Sequence, residues 1–297
     1  MELGRVLTAM VTPFDREGKV DYGQAKRLAR ALLDAGSDGL VVAGTTGEAP
    51  TLTHDEKLEL FRSVKAAVGE RGAVIAGTGT NNTAASIALS QEAEAIGVDG
   101  LLLTTPYYSK PPQEGLYRHF QAIAGATSLP CILYNIPGRT AVNVTAETQL
   151  RLAEIPNIAG AKEASGDLDQ IATIIEGAQD YRVWSGDDQM TLPIVAIGGY
   201  GVVGVATHLV GLQMRTMIEA QLDGRVTEAA ATHRRLLPLM KTLMTAAPNP
   251  IPLKYALNHA GFQVGGLRLP LIEADAAVAE SVVTELARHH IDLAVAV

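Results

Sequence analysis

Lys162 lies in the middle of an otherwise apolar run, IAGAKEAS at residues 158–165. If this run is a strand, alternation places Ile158 and Gly160 on the same face as Lys162. A buried amine without a partner costs free energy, so such a lysine either extends to solvent or does chemistry. Apolar walls disfavour the ammonium form, and the free amine attacks a ketone to give a Schiff base. The alternatives are therefore a nucleophilic lysine and a structural lysine at a strand end.

A Schiff base lets the neighbouring carbon lose a proton, so this chemistry also needs a proton carrier and a carboxylate-binding group. Tyr134, in the run CILYN, is a suitable carrier if a threonine and a second tyrosine relay the proton. Arg139 follows closely and can bind a carboxylate through two hydrogen bonds. Together an amine, a phenol and a guanidinium describe a class I aldolase. Further polar residues lie at or just after the ends of the apolar runs: Thr45, Thr46, Glu48, Tyr107, Tyr108, Asn135, Glu163, Asp187 and Asp188.

Other kinds of chemistry and partner have weaker support in the sequence. HExxH, CxxC and GxSxG motifs are absent and the seven histidines are scattered, so we expect neither a metal nor a cofactor. The formal net charge is −8 without a basic block, which argues against nucleic acid or an anionic membrane as partner. The one cysteine, Cys131, and an N-terminus unlike a signal peptide favour a cytoplasmic protein.

Short apolar runs recur along the chain at intervals that fit one helix plus one strand. Amphipathic stretches separate them, and the runs begin at Val6, Gly39, Ala73, Gly100, Cys131, Ile158, Arg182 and Val202. Eight parallel strands, each followed by a helix, close into a (β/α)8 TIM barrel with its chemistry at the C-terminal strand ends. An open doubly wound sheet would use fewer strands and a phosphate-binding loop. We therefore predict an α/β protein with a TIM barrel.

The alternation stops after Gly224, and the remaining sequence has a helical pattern interrupted near Pro248, Pro250 and Pro252. We predict two domains, a catalytic barrel over residues 1–224 and a C-terminal helical domain over residues 225–297.

One uncharged stretch, from Gln189 to Met214, is long enough to suggest a membrane span. Pro193 and five glycines interrupt it, and its second half, GVVGVATHL, is short and β-branched like a buried strand. We predict a helix, a turn and a strand here, without membrane insertion.

Five ordered motifs resemble those of the dihydrodipicolinate synthase family: GLVVAGTTGEAPTL, TPYYSKPPQEGLYRHF, LYNIPGRTAVN, GAKEASGDL and WSGDD. The resemblance covers essentially the whole barrel, and the C-terminal helices fit the extra domain of that family. The wider superfamily contains N-acetylneuraminate lyase and related keto-acid aldolases, which share the Schiff-base lysine. The resemblance implies an enzyme that condenses pyruvate with L-aspartate 4-semialdehyde in lysine (diaminopimelate) biosynthesis.

The resemblance also assigns roles to single residues. It implies that Lys162 forms the imine with pyruvate and that Tyr134 transfers protons. Thr46 and Tyr108 match the relay partners of the tyrosine, and Tyr108 matches one that is lent to a neighbouring subunit. The substrate-binding positions are Thr45 for the pyruvate carboxylate, Arg139 for the carboxylate of the semialdehyde, and Gly186 and Val203, whose backbone lines the site.

The implied assembly is a homotetramer, and a shared Tyr108 would require at least a dimer. Two alternatives remain open. The first is another pyruvate-dependent aldolase of the same fold, acting on a sugar acid or on 4-hydroxy-2-oxoglutarate. The second is a non-catalytic barrel that senses a keto acid, against which the joint presence of Lys162, Tyr134, Thr46 and Tyr108 argues.

Many members of the family are inhibited by lysine at a cleft between subunits. At the matching positions His54, Asn81 and Tyr107 agree with lysine-sensitive members. Ala49 replaces a serine, Lys57 a histidine and Ala85 a glutamate, and the glutamate would have offset the desolvation of the ligand ammonium. We expect weak or absent feedback by lysine.

Overall fold

Eight parallel strands form a closed barrel in chain order, and the last strand pairs with the first through Val6 and Val202. The computed structural model describes residues 3–294. The predicted TIM barrel is confirmed in this part of the chain. The strands are β1 (Val6–Ala9), β2 (Gly39–Val42), β3 (Ala73–Gly77), β4 (Gly100–Thr104), β5 (Cys131–Asn135), β6 (Ile158–Glu163), β7 (Arg182–Ser185) and β8 (Gly201–Gly204).

Helices follow the strands and cover the barrel. Capping residues fix where several of these helices begin. Thr53 and Glu56, for example, form a capping box at the N-terminus of α2. The helices within residues 3–294 are α1 (Tyr22–Asp34), α2 (His54–Val68), α3 (Thr83–Ile96), α4 (Gln113–Ala124), α5 (Pro137–Thr140), α6 (Ala146–Ala153), α7 (Leu168–Gly177), α8 (Thr191–Ala196), α9 (Thr207–Leu222), α10 (Val226–Thr245), α11 (Ile251–His259) and α12 (Ala276–Leu286).

The predicted domain boundary falls in the turn between α9 and α10, where Gly224 adopts a positive φ of 76°. Residues 1–2 and 295–297 of the two predicted domains lie outside the described residues. The division into a barrel and a helical domain remains our proposal.

Side chains of the strands divide between two cores. Alternate residues such as Leu7, Ile75 and Trp184 fill the interior of the barrel together with Tyr134 and Val203. The intervening strand residues pack with the surrounding helices in a larger core. This alternation decides which residues near the strand ends can face a site at the barrel mouth.

The uncharged stretch from Gln189 to Met214 forms α8, a turn, β8 and the first half of α9. The predicted strand ends earlier than expected, at Gly204, because the Asp188 carboxylate accepts hydrogen bonds from the amides of Val205 and Ala206. Those amides are then unavailable for strand pairing, and α9 begins at Thr207. Among residues 3–294, no helix is long and apolar enough to cross a membrane.

Candidate active site

Lys162 lies near the C-terminal end of β6 and is 5% exposed. Its register partners are Tyr134 on β5 and Trp184 on β7, both of which belong to the interior core. The Lys162 Nζ atom lies 4.1 Å from the centroid of the Tyr134 ring. The structure therefore favours the buried, inward-facing lysine over one that extends to solvent.

Burial lowers the pKa of Lys162 from 10.5 to about 8. The nearby charge of Asp188 raises that pKa, while the Arg139 guanidinium lowers it. A lysine with this pKa is partly a free amine near neutral pH, which is the form that attacks a carbonyl carbon.

A β-bulge changes the strand that carries Lys162. Cys131 pairs with Ile158, but the next residue of β5, Ile132, pairs with Gly160, so Ala159 is inserted. Ile158 consequently packs in the outer core, on the opposite face from Lys162. The simple alternation predicted from the sequence is wrong for Ile158, because the bulge adds one residue to β6.

Tyr134 is 4% exposed, and burial raises the pKa of its hydroxyl to about 12. The Arg139 charge and the Thr45 side chain act in the opposite direction and lower this pKa. The phenol is therefore neutral near pH 7 and can donate a proton or pass one to its hydrogen-bonding partner.

The two neighbouring threonines differ in their contacts. Thr45 is half-buried, and its side chain lowers the pKa of the Tyr134 hydroxyl. Thr46 is buried, and its hydroxyl oxygen accepts a hydrogen bond of 2.9 Å from Nδ2 of Asn249. Thr45 therefore acts on the Tyr134 hydroxyl while Thr46 contacts Asn249, whereas the resemblance implied Thr46 as the relay partner of the tyrosine.

A cavity of about 270 Å³ opens at the mouth of the barrel. Thr45 and Arg139 line it, together with Tyr107 and Lys57. Arg139 lies in the short helix α5 that follows β5 and is exposed, so its guanidinium is accessible to a ligand. Thr45 connects the wall of this cavity with Tyr134.

Tyr108 does not join these groups within the single chain. It is 91% exposed and adopts a left-handed backbone conformation, with φ of 74°. The structure therefore places Tyr107 in the cavity wall and Tyr134 in the interior, whereas Tyr108 projects into solvent.

Gly186 lies beside Lys162, and Val203 lies in the interior core. A Cβ atom at Gly186 would come within 3.0 Å of Cγ of Lys162 and 2.9 Å of Cβ of Ala164. Glycine here leaves the lysine side chain its space. Val203 is fully buried in the barrel interior.

Two residues near the site carried no assigned role in the sequence analysis. Asp188 is buried, accepts hydrogen bonds from the Val205 and Ala206 amides, and has a pKa raised to about 6 by burial. Asn249 reaches Thr46 from the segment between α10 and α11. The doubled aspartate of WSGDD was a usable signal for the first, but nothing in the sequence signalled the second.

Within residues 3–294, no group of three or more His, Cys, Asp or Glu side chains could hold a metal ion. The candidate site consists of an amine, a phenol, hydroxyls and a guanidinium. This set can form a Schiff base, move a proton and bind a carboxylate.

Known proteins of one family are similar to this chain over nearly its whole length. The model of the dihydrodipicolinate synthetase family matches residues 2–289. The chain is 61% identical to the 4-hydroxy-tetrahydrodipicolinate synthase of Moorella thermoacetica over 275 residues, or 92% of this chain and 94% of the relative. It is 57% identical to that of Dehalococcoides mccartyi over 293 residues, or 98% of each chain. A crystal structure of dihydrodipicolinate synthase from Cyanidioschyzon merolae with lysine bound superposes with a TM-score of 0.95 at 48% identity, covering 96% of this chain and 98% of that one.

Proposed function

This chain belongs to the dihydrodipicolinate synthetase family, and we propose that Lys162 forms the imine with pyruvate through which it acts. The protein is a lyase of the class I aldolase type that condenses pyruvate with L-aspartate 4-semialdehyde in lysine biosynthesis. The observation that carries the proposal is the buried Lys162 amine beside Tyr134, with its pKa lowered to about 8.

The reaction follows from the chemistry of the amine. Nζ of Lys162 adds to the keto carbon of pyruvate, and loss of water gives the imine. The methyl carbon then loses a proton to give an enamine, whose carbon adds to the aldehyde of the semialdehyde. The amino group of that second substrate displaces Lys162 by transimination, which closes the ring and frees the enzyme.

Tyr134 is the proposed proton carrier, and Thr45 is its proposed relay partner. The influence of the Thr45 side chain on the pKa of Tyr134 supports this choice over Thr46. Asn249 donates to the Thr46 oxygen, so the Thr46 hydroxyl retains its own hydrogen for donation. A carboxylate accepts hydrogen bonds only, which makes Thr46 the better-suited ligand for the pyruvate carboxylate.

Arg139 is the proposed ligand for the carboxylate of the semialdehyde. Its exposure at the cavity beside Thr45 supports this role, because a guanidinium can bind a carboxylate through two parallel hydrogen bonds. Gly186 and Val203 remain proposed backbone positions of the site.

A second copy of the chain completes the proposed site. The near-complete exposure of Tyr108, together with its strained backbone, supports a role across a subunit interface. A homotetramer remains the proposed assembly, and the cytoplasm remains the proposed location, in agreement with the free, buried thiol of Cys131.

A substrate panel tests the proposed reaction against other aldolases of this fold. Pyruvate is held constant while the aldehyde is varied among aspartate semialdehyde, glyoxylate and sugar-derived aldehydes. We expect turnover with the semialdehyde at a kcat/KM at least about a hundredfold above the others, because only it presents a carboxylate and an amine suited to this site. Preference for another aldehyde would reject the reaction, and imine formation without turnover of any aldehyde would indicate a keto-acid sensor.

A further inference from the structure

Asn135 and Glu163 follow Tyr134 and Lys162 in the sequence and were expected among the residues of the barrel mouth. The structure places both on the opposite face of their strands, and each is at most 1% exposed. They are register partners, one step along from the pairing of Tyr134 with Lys162. A buried polar pair therefore lies directly behind the proposed catalytic pair.

The Glu163 carboxylate is held by neutral donors. Its Oε1 atom accepts hydrogen bonds from Nδ2 of Asn135 at 3.0 Å and from Nε2 of Gln149, and Oε2 accepts one from the Ser165 amide at 3.4 Å. Burial raises the pKa of this carboxyl group. A carboxylate in such surroundings costs free energy that an apolar side chain would not, so its contribution must be sought in geometry and not in stability.

Asn135 fixes the segment that carries Arg139. Its Oδ1 atom accepts a hydrogen bond from the Val144 amide at 3.0 Å, and its Nδ2 atom also donates to Oδ1 of Asn143 at 2.8 Å. The chain between Asn135 and Val144 is therefore closed into a loop by one side chain. Arg139 lies within that loop, so its position depends on Asn135.

The Asn143 side chain is itself held in place. Its Nδ2 atom donates to Oε1 of Gln170 at 2.7 Å, and its backbone oxygen accepts from Nε2 of Gln113 at 2.7 Å. The far end of the Arg139 loop is thus anchored to α7 and α4, which stand on the rigid outer layer of the barrel.

We propose that Asn135 and Glu163 are positioning residues that hold the Lys162 strand, the Tyr134 strand and the Arg139 loop in one geometry. Asn135 directly follows Tyr134 and Glu163 directly follows Lys162, so loss of the hydrogen bond between Asn135 and Glu163 displaces the proposed reacting side chains. Displacements of about 1 Å can cost a hundredfold in rate. Neither residue touches substrate, since both face the outer layer.

The inference rests on the proposed function of Lys162, and the experiment separates the two. The probe is pyruvate, and the rate at which borohydride-reducible imine accumulates on the full-length protein is measured first for the wild type. Absence of an adduct on wild-type Lys162 rejects the proposed function. The inference is judged by the rates of the variants relative to a wild type that does form the adduct.

Glu163→Ala removes one of the two acceptors of each of the Asn135 and Gln149 amides and breaks the link between β5 and β6, and we expect imine formation and kcat to fall about 10- to 100-fold. Glu163→Gln keeps one acceptor oxygen but presents an amide to the Ser165 N–H, and we expect about a three- to tenfold loss. Asn135→Ala releases the Arg139 loop, so the KM for aspartate semialdehyde should rise about tenfold or more, with a smaller effect on imine formation.

Tyr181→Phe is the matched control. The buried Tyr181 hydroxyl donates to Oε1 of Gln149 at 3.1 Å and makes no hydrogen bond with Asn135 or Glu163. The Tyr181→Phe variant should have lower thermal stability, with a rate of imine formation and a kcat within about twofold of wild type.

A merely structural role predicts lower melting temperatures with unchanged rates per folded molecule. Folded Glu163→Ala that forms the imine and turns over within about twofold of wild type would overturn the inference. If Glu163→Ala does not fold, Glu163→Gln decides the question: an unchanged rate of imine formation overturns the inference, and the expected loss supports it.

Discussion

Nζ of Lys162 lies 4.1 Å from the centroid of the Tyr134 ring, and burial moves the pKa values of the two side chains apart. The pKa of Lys162 falls to about 8 and that of Tyr134 rises to about 12. Both shifts favour the uncharged forms, because the barrel interior disfavours charge. The lysine is thereby suited to nucleophilic attack and the tyrosine to holding a proton.

The rate of imine formation should depend on pH as this lowered pKa requires. The amine loses its proton as the pH rises, so the rate should increase about tenfold per unit below pH 8 and level off above it. A lysine of ordinary pKa, 10.5, would give a rate that still rises at pH 9. Quenching pyruvate reactions with borohydride at successive times and pH values measures this profile, and a rise beyond pH 9 would contradict it.

Two variants should shift the pH midpoint of the imine-formation rate in opposite directions. The Asp188 charge raises the pKa of Lys162 and the Arg139 charge lowers it. Asp188→Asn should therefore move the midpoint to lower pH, and Arg139→Ala should move it to higher pH. Shifts in the same direction would show that these charges do not act on Lys162.

Arg139→Ala should lower kcat/KM for aspartate semialdehyde by roughly two orders of magnitude, because a bidentate carboxylate contact is lost. Adduct formation with pyruvate at a saturating pH should survive, since Lys162 and Tyr134 remain. Steady-state kinetics with each substrate varied in turn measures the effect, and Arg118→Ala, at an exposed pair with Glu114, is the control. Unchanged kinetics for the semialdehyde would remove Arg139 from the site.

Lysine should inhibit the enzyme weakly or not at all. Lys57 lines the cavity shared with Ala49 and Tyr107, and Ala85 is exposed and offers no acceptor to a ligand ammonium. Loss of one charge-assisted partner weakens binding by about ten- to a hundredfold. Titration of lysine into the steady-state assay measures this, and strong, saturable inhibition below millimolar lysine would contradict it.

Restoring the residues of lysine-sensitive members should restore inhibition by lysine, which tests the same interpretation of positions 57 and 85. The double variant Lys57→His, Ala85→Glu should acquire inhibition by lysine, because it restores an anion and removes a like charge. Lys57→His combined with Ala84→Glu is the matched control, since Ala84 is the exposed neighbour on α3. Equal inhibition of both double variants would show that the position of the glutamate is unimportant.

The loop after β2, which carries Thr45 and Thr46, should depend on a buried ion pair. Nζ of Lys254 lies 2.6 Å from Oε1 of Glu48, and both side chains are at most 1% exposed. Lys254→Met leaves the carboxylate buried without its partner, which should cost about 3–5 kcal/mol of apparent unfolding free energy.

Urea denaturation measures that cost. Adding Glu48→Gln to Lys254→Met should recover part of the loss, because the uncompensated charge is removed. Arg118→Met, at an exposed pair, should leave the unfolding midpoint nearly unchanged. A loss for Lys254→Met no greater than that for Arg118→Met would contradict the prediction.

The sequence predicts the barrel well because its signals are local. Each strand is a short apolar run bounded by turns and helices, and the polar residues that end those runs mark the mouth. The run around Lys162 illustrates both the success and its limit. Its strand was predicted, but the bulge at Ala159 depends on pairing with β5, which residue types alone do not reveal.

Contacts between distant segments could not be predicted. Asn249 reaches Thr46 across 203 positions of the chain, and Thr45 acts on the pKa of Tyr134 although its neighbour Thr46 is chemically identical. Likewise Asn135 and Glu163 follow the proposed catalytic residues Tyr134 and Lys162 in sequence, yet strand alternation turns them away from the mouth. These assignments need the three-dimensional arrangement because residue type is equally consistent with either face.

The most direct test of the account is covalent trapping of the enzyme with pyruvate and borohydride, followed by peptide mass spectrometry. We expect a reduced pyruvate adduct on the peptide that contains Lys162, and loss of that adduct in Lys162→Ala. Lys254 is the matched internal control, because it is also a buried lysine but is paired with Glu48. An adduct on Lys254 or any other lysine, or no adduct at all, would contradict the central role of Lys162.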